Sequence, residues 1–326
     1  MGASRPGRRE ATRGGAGAPA PGVLPFSAGL ATVRGAGSTS SVVGRASRAE
    51  VLRRAIWRSP LTLAGVIIVA LFACVAIVGP QLAVQSPTAQ DLAHRLAPPS
   101  ARHPFGLDSL GRDVYSRVVY GARISVTSGI SVVAAIMCFG TIAGMAAGWL
   151  GGWWDETLMR ITDMFLAFPS LVLAMAISAV LRPSLTNALL AIVVTSWPPY
   201  GRLSRAQILS LRSRDYVEAA RAQGLTDTKI ILRHLIPNAL APLLVQATLD
   251  VGSIILTVAG LSFIGFGAQP PTPEWGRMVS DGREFLMEQW WVATFPAVAI
   301  MLFVLGFNLV GDGIRDILDP RLRKAE

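Results

Sequence analysis

The sequence predicts an all-α, polytopic membrane protein, and three observations carry that prediction. Apolar residues make up 52% of the 326-residue chain and charged residues only 15%, against roughly 25% charged in soluble domains. The apolar residues gather into runs without a single Asp, Glu, Lys or Arg, at 59–90, 124–154, 164–181, 183–201, 251–273 and 289–311. Each run is close to or beyond the roughly 20 residues that a membrane-spanning helix needs. One large soluble core is excluded, because a soluble helix keeps a polar face and these runs have none. Basic residues, finally, are shared unevenly among the segments between the runs, and that asymmetry gives an orientation.

Six transmembrane helices are expected, near 61–83, 124–149, 160–181, 186–203, 238–266 and 290–311, the fifth extended by the uncharged stretch 235–249 across the single Asp250. Residues 1–58 hold ten Arg against two acids, and 201–237 hold seven basic residues against three acids. Residues 267–289 hold two Arg against four acids. The positive-inside rule therefore puts the N-terminus and the 204–237 loop in the cytoplasm, with 84–123 and 267–289 outside. The C-terminal stretch 312–326, with four basic and four acidic residues, gives no bias; six spans return it to the cytoplasm. The net charge of +10 thus reports topology. No aromatic-interleaved basic patch points to nucleic acid.

Residues 1–50, rich in Gly, Ala, Pro, Ser and Arg, read as a disordered cytoplasmic extension. Arg53 and Arg54 precede the first span as a twin-arginine signal would, but they lie too far along the chain for a cleaved one, so that span is expected to stay as an anchor. Residues 51–120 form the first transmembrane helix and an outward loop, 121–313 the core transmembrane domain, and 314–326 a cytoplasmic tail. A short interior turn is expected at 150–159, with Trp153 and Trp154 at the membrane interface. Gly140, Gly144 and Gly148 suit close helix–helix approach. Cys74 and Cys138 fall inside spans, where cysteine packs as a small apolar residue. His94, His103 and His234 have no ligand-like spacing, so no metal site is expected.

The stretch 215–237, DYVEAARAQGLTDTKIILRHLIP, is a polar island between two apolar runs. Asp215 with Glu218 three residues on fits a capping box, and Gly224 suits the left-handed position that closes a helix. Thr226 then caps a second short helix running to Pro237. A helix of about eight residues is roughly 12 Å long, the size of a knob that enters a groove on another protein. Ala219 and Ala220 are small where such a helix would lie close against its partner. An ordinary surface connector is the plainer reading of the same spacing.

Glu218-Ala219-Ala220, Gly224 and Ile236-Pro237 resemble the EAA loop of ABC-importer membrane subunits. Other blocks are similar to the dipeptide/oligopeptide/nickel permeases: His103-Pro104-Phe105-Gly106-Leu107-Asp108, Gly111-Arg112-Asp113-Val114, Leu261 to Gly267, Gln269 to Gly276, and Phe307 to Gly313 with Asp319-Pro320-Arg321. The resemblance covers roughly residues 50–325 and implies the type I ABC importer transmembrane fold. It implies that Asp215, Glu218, Ala219, Ala220, Gly224, Ile236 and Pro237 couple the spans to an ATPase. The implied partners are a second homologous permease, two cytoplasmic ABC ATPases and an extracytoplasmic substrate-binding protein, in a bacterial cell membrane. ATP and Mg would be bound by the ATPase subunits and no cofactor by this chain. Its two lysines, Lys229 and Lys324, stand in no phosphate-loop context, the glycine-rich setting that nucleotide binding needs.

Asp250 is the one acid embedded in the fifth span, some 12 residues in and so roughly 18 Å deep. Acids at that depth usually face the bundle interior or a water-filled path. A translocation-path residue meeting a peptide amino terminus is the sharper reading; a hydrogen-bonded packing residue beside Thr248 and Ser253 is the plainer one. Asn187, Pro198-Pro199 and Pro242 would kink or loosen their helices, as a hinge or for packing alone. Gln269 to Trp275 reads as a rigid outward loop, or as a gate or docking face. The spans otherwise offer no cluster of polar groups that spells a ligand. The function expected is a permease subunit, not an enzyme, importing di- or oligopeptides by alternating access. Nickel, glutathione or another small solute is the alternative within the class. A membrane-embedded enzyme would need a second acid or His in the spans beside Asp250, and a passive channel would leave the two-helix loop without a role.

Overall fold

The computed structural model describes residues 59–318. The N-terminal extension 1–50 and the tail beyond residue 318 lie outside the described residues. Among the described residues the chain is all α, with one isolated bridge between Leu107 and Asp113.

Helix α1, Pro60–Leu82, starts where Ser59 accepts a hydrogen bond from the Thr62 backbone N–H and Pro60 takes the first helical position, where its missing N–H costs nothing. It packs along the last helix through glycines. A Cβ on Gly65 would fall 2.7 Å from Leu309 Cβ. A loop with a 3₁₀ turn at Leu92–His94 leads to α2, Val114–Leu150, whose N-cap Asp113 accepts from Ser116 N at 2.7 Å. At 37 residues α2 is roughly 55 Å long, well beyond the roughly 30 Å hydrocarbon core, so it projects past the membrane. Cys74 and Cys138 are exposed on the surfaces of α1 and α2. They do not pack inside the chain as expected, because each falls on a face that no neighbouring helix covers.

The expected interior turn at 150–159 is shorter than foreseen. Gly151 and Gly152 turn the chain, at φ +67° and +54°, and α3 runs from Gly152 to Leu166 with Trp153 and Trp154 exposed on it. The expected third span, 160–181, is broken. Helices α3 and α4 (Ser170–Leu181) meet at 89°, because Pro169 has no N–H and biases Phe168 out of the helical region. The expected fourth span, 186–203, is divided at Trp197 into α5, Leu185–Ser196, and α6, Pro198–Arg212. Asn187 ties rather than loosens: its Nδ2 donates to the Leu181 and Arg182 carbonyls that end α4, at 2.7 and 3.0 Å. By length and composition, four described helices can each cross a membrane, and a fifth crossing is reached if the bent α3–α4 pair counts as one.

Helix α6 continues into α7, Asp215–Ala222, and α8, Asp227–Ile230; a π turn at Ile231–Leu235 then leads into α9, Ile236–Ile264. Gly265, at φ +105°, ends α9. After a loop come α10, Trp275–Gly282, a 3₁₀ turn at Arg283–Phe285, and α11, Trp291–Leu318. The main core lies between α2, α5, α6, α9 and α11, around Ile136, Ile192, Tyr200, Leu243 and Phe303, with Trp275 fully buried in it. Gly140, Gly144 and Gly148 do mark a close contact: each faces α6, and a Cβ on Gly140 would fall 2.5 Å from Tyr200 Cβ. This bare-backbone seam is what brings Tyr200 against α9.

Candidate functional site

The polar loop is built as two short helices folded onto the bundle. Helix α7 starts one residue earlier than a capping box requires. Arg214 is the N-cap, in extended conformation, and its carbonyl accepts from Val217 N at 2.8 Å and Glu218 N at 3.2 Å. Asp215 is therefore the first helical residue and caps nothing; with Glu218 it contributes negative charge to the first turn, where the helix dipole favours it. The helix closes at Gly224, φ +77°, as the sequence led us to expect. Leu225 N donates to Ala220 O and Gly224 N to Arg221 O, the paired bonds of a Schellman motif.

Thr226 sits at the N-cap of α8, but its side chain makes no capping bond. The second helix does not stop at Pro237 as expected. The Ile236 N–H reaches back five residues to Ile231 O. That π turn precedes Pro237, which has no N–H to return to the residue four back, so α8 passes into α9 without a gap. Val217 and Ala220 point inward and pack with Ile208, Ile230, Leu235 and Ala239. Arg221 lies over the Trp149 ring at 4.9 Å. Ala220 is thus small because it meets this chain's own core, a correction to its expected place against a partner. Ala219, Asp215, Glu218 and Pro237 are exposed, and Ile236 is half-buried.

Some 13 residues along α9 from Pro237, Asp250 is half-buried and doubly bonded. Tyr200 Oη donates to its Oδ2 at 2.7 Å, and Gln246 Nε2 to its Oδ1 at 3.1 Å. Thr248, expected beside it, bonds instead to the Val245 carbonyl; Ser253 donates to the Asp250 backbone oxygen. Sequence reading missed Tyr200 and Gln246. Gln246 was legible at four residues before Asp250, one helical turn, whereas Tyr200 comes from another helix. Pro242 is accommodated inside α9.

At the other end of α9 the Gln269–Trp275 segment is anchored. Glu274 is buried and caps α10, accepting from Gly276 N at 3.0 Å and Arg277 N at 2.9 Å. Burial raises its carboxyl pKa above the ordinary range, partly offset by those backbone donors. Trp275 Nε1 donates to Val118 O at 2.9 Å. Asp108 holds the loop that precedes α2, accepting from Arg112 Nε at 2.7 Å. Beside this, a groove of about 610 Å³ runs between α9 and α11, lined by apolar residues such as Leu256, Phe263, Ile300 and Val304, with Asn308 at its edge.

Long apolar helices, with a polar two-helix loop clamped to them and continuous with the helix that carries a bonded acid, define a membrane transport subunit. Comparison specifies which: residues 140–324 match the family described as "Binding-protein-dependent transport system inner membrane component", and residues 48–99 match the N-terminal TM domain of oligopeptide transport permease C. The chain is 48% identical over 266 residues to the dipeptide transport system permease protein DppC of Alkalihalophilus pseudofirmus, covering 82% of this chain and 88% of that one. It is 49% identical over 263 residues to the probable D,D-dipeptide transport system permease protein DdpC of Escherichia coli K12, covering 81% and 88%. It is 44% identical over 225 residues to the glutathione transport system permease protein GsiD of Escherichia coli O6:K15:H31, covering 69% and 74%. The chain belongs to this family of ABC-importer permeases. It is a multi-pass membrane transport component, not an enzyme, and works with ATPase and substrate-binding partners.

Proposed function

We propose that this chain is one of two homologous permeases in a peptide importer, served by two ATPase subunits that bind ATP and Mg and by one extracytoplasmic binding protein. In this reading the N-terminus and the 204–237 loop face the cytoplasm, in keeping with the positive-inside rule. The exposed residues Asp215, Glu218 and Ala219 meet the ATPase, Ala220 and Gly224 hold the shape that presents them, and Ile236-Pro237 join the loop to α9. The observation that carries the proposal is continuity: from Asp227 to Ile264 the chain is helical throughout. Movement at the loop is therefore delivered along one rod to Asp250, which takes the peptide's amino terminus as substrate passes.

Di- or oligopeptide substrates are supported by the names of the relatives, and the glutathione permease among them keeps a tripeptide-like solute as the second reading. The test is uptake of labelled dipeptides, longer peptides, glutathione and nickel in cells lacking the gene, with and without the gene restored. Peptide uptake that depends on the gene is expected; dependence confined to nickel or glutathione would overturn the peptide reading.

A further inference from the structure

Asp250 is one member of a row. Gln246, Asp250, Ser253 and Thr257 follow one another by four, three and four residues, which places them on one face of α9. That face is open in this chain: Ser253 is exposed, and the other three are half-buried. Ile255 fills the opposite face, against Gly129 of α2. Four polar side chains aligned on one open stripe of a membrane helix are costly unless something polar meets them.

The hydrogen bonds along the stripe give it a single character. Ser253 Oγ donates to the Asp250 carbonyl at 2.9 Å, and Thr257 Oγ1 donates to the Ser253 carbonyl at 2.9 Å. Each hydroxyl hydrogen is thereby committed to the helix, leaving only oxygen lone pairs facing outward. Asp250 as a carboxylate is an acceptor only, and Gln246 spends one amide hydrogen on it. Apart from the second Gln246 amide hydrogen, the stripe presents acceptors and one negative charge, so it fits ligands rich in N–H groups.

We infer that this stripe is an acceptor ladder for the backbone N–H groups of an extended peptide. Asp250 receives the terminal ammonium, and Ser253 and Thr257 receive amide hydrogens further along. Ser253 and Thr257 are about 6 Å apart along the axis at 1.5 Å per residue. The N–H groups that point the same way in an extended chain recur every two residues, about 6.6 Å. The ladder rests on the peptide-transport reading and adds which atoms of the peptide are recognised.

The test uses the complete transporter in cells lacking the chromosomal gene, with pentaalanine and with the same pentapeptide methylated at the amide nitrogens of its third and fifth residues. For each peptide the uptake of Ser253→Ala/Thr257→Val is divided by that of wild type, which cancels discrimination by the binding protein. Loss of net hydrogen bonds predicts a roughly three- to tenfold fall for pentaalanine, little fall for the methylated peptide, and recovery in Ser253→Thr/Thr257→Ser. An equal fall for both peptides, or none for either, overturns the ladder while leaving peptide transport standing. A methylated peptide that wild type does not take up is replaced by one methylated at a single nitrogen, read in the same way. Absence of any peptide uptake by wild type removes the transport reading and the ladder together.

Discussion

Tyr200 and Asp250, 50 positions apart, are joined by a 2.7 Å hydrogen bond from the phenol to the carboxylate. The bond ties α6, the helix entering the polar loop, to α9, the helix leaving it. The two flanks of the loop are therefore coupled within the bundle as well as through the loop itself.

Tyr200→Phe keeps the ring in the glycine seam and removes only the donor. A hydrogen bond to a charged group contributes about 1.5–3 kcal/mol, so thermal unfolding of the purified complex should begin several degrees lower. Asp250→Asn, which keeps the side chain's shape but loses the charge and one of its two acceptor oxygens, should assemble normally yet transport poorly. Normal transport by Asp250→Asn would remove the acid from the path and leave it a packing group.

Gly224 separates conformation from contact. A Cβ there would meet nothing within 4 Å, yet φ is +77°, which costs a branched residue roughly 1–2 kcal/mol. Gly224→Val should therefore lose substrate-stimulated ATPase activity while Gly224→Asn, which tolerates the left-handed region, keeps most of it. Equal activities in the two variants would show that the turn's shape does not matter.

Ala219 and Ala220 should respond differently to the same substitution. Ala220 is 5% exposed, so tryptophan there overpacks the cluster under the loop, at a cost of typically 1–3 kcal/mol, and should speed proteolysis between residues 213 and 237. Ala219→Trp should leave protease resistance as in wild type and reduce co-purification of the ATPase subunits. Undiminished co-purification with Ala219→Trp would mean that this face of α7 touches no ATPase.

Glu274 gives a pH-dependent prediction with a definite sign. Its folded-state pKa is raised above 4.5, so the folded protein holds this proton more tightly than the unfolded chain. Stability is then greatest below the unfolded value and falls as pH climbs from there through the raised one. The midpoint of unfolding should decline over that window more steeply in wild type than in Glu274→Gln. Parallel pH profiles would indicate that Glu274 titrates as an ordinary exposed glutamate.

Orientation can be read with thiol labelling after Cys74 and Cys138 are replaced by serine, since both are exposed on helix surfaces. Cysteine at Arg95 should react with an impermeant reagent in intact cells and cysteine at Thr226 should not; the reverse result inverts the topology.

Much of this architecture was legible in the chain, and the failures share a cause. The long helices α1, α2, α9 and α11 follow uncharged runs, and the turn at Gly224 follows from its residue type. Hydropathy alone cannot reveal a bend, so the break at Pro169 went unseen inside a run of the right length, whereas the division at Trp197 falls beside Pro198-Pro199, where a kink was expected. Proximity across the fold was equally hidden. Nothing local announces that Ala220 faces Ile208 or that Tyr200 reaches Asp250, because those contacts depend on how the glycine seam sets α6 against α2. The stripe on α9 was readable as a period, but its two hydroxyl residues are ordinary in a membrane helix until their hydrogens are seen to be spent on the backbone.

The π turn at Ile231–Leu235 sets a phase. One residue more than an α turn advances everything beyond it by about 100° around the axis, so the bearing of α8 relative to Asp250 is fixed by a count of residues. Deleting a single residue from that turn would leave every side chain of α7 and α8 intact and aim α8 at a different quarter of its surroundings. The loop and the acid are thus indexed to each other like a key cut on its shaft, and the tooth that indexes them is one extra peptide unit held in place by Pro237.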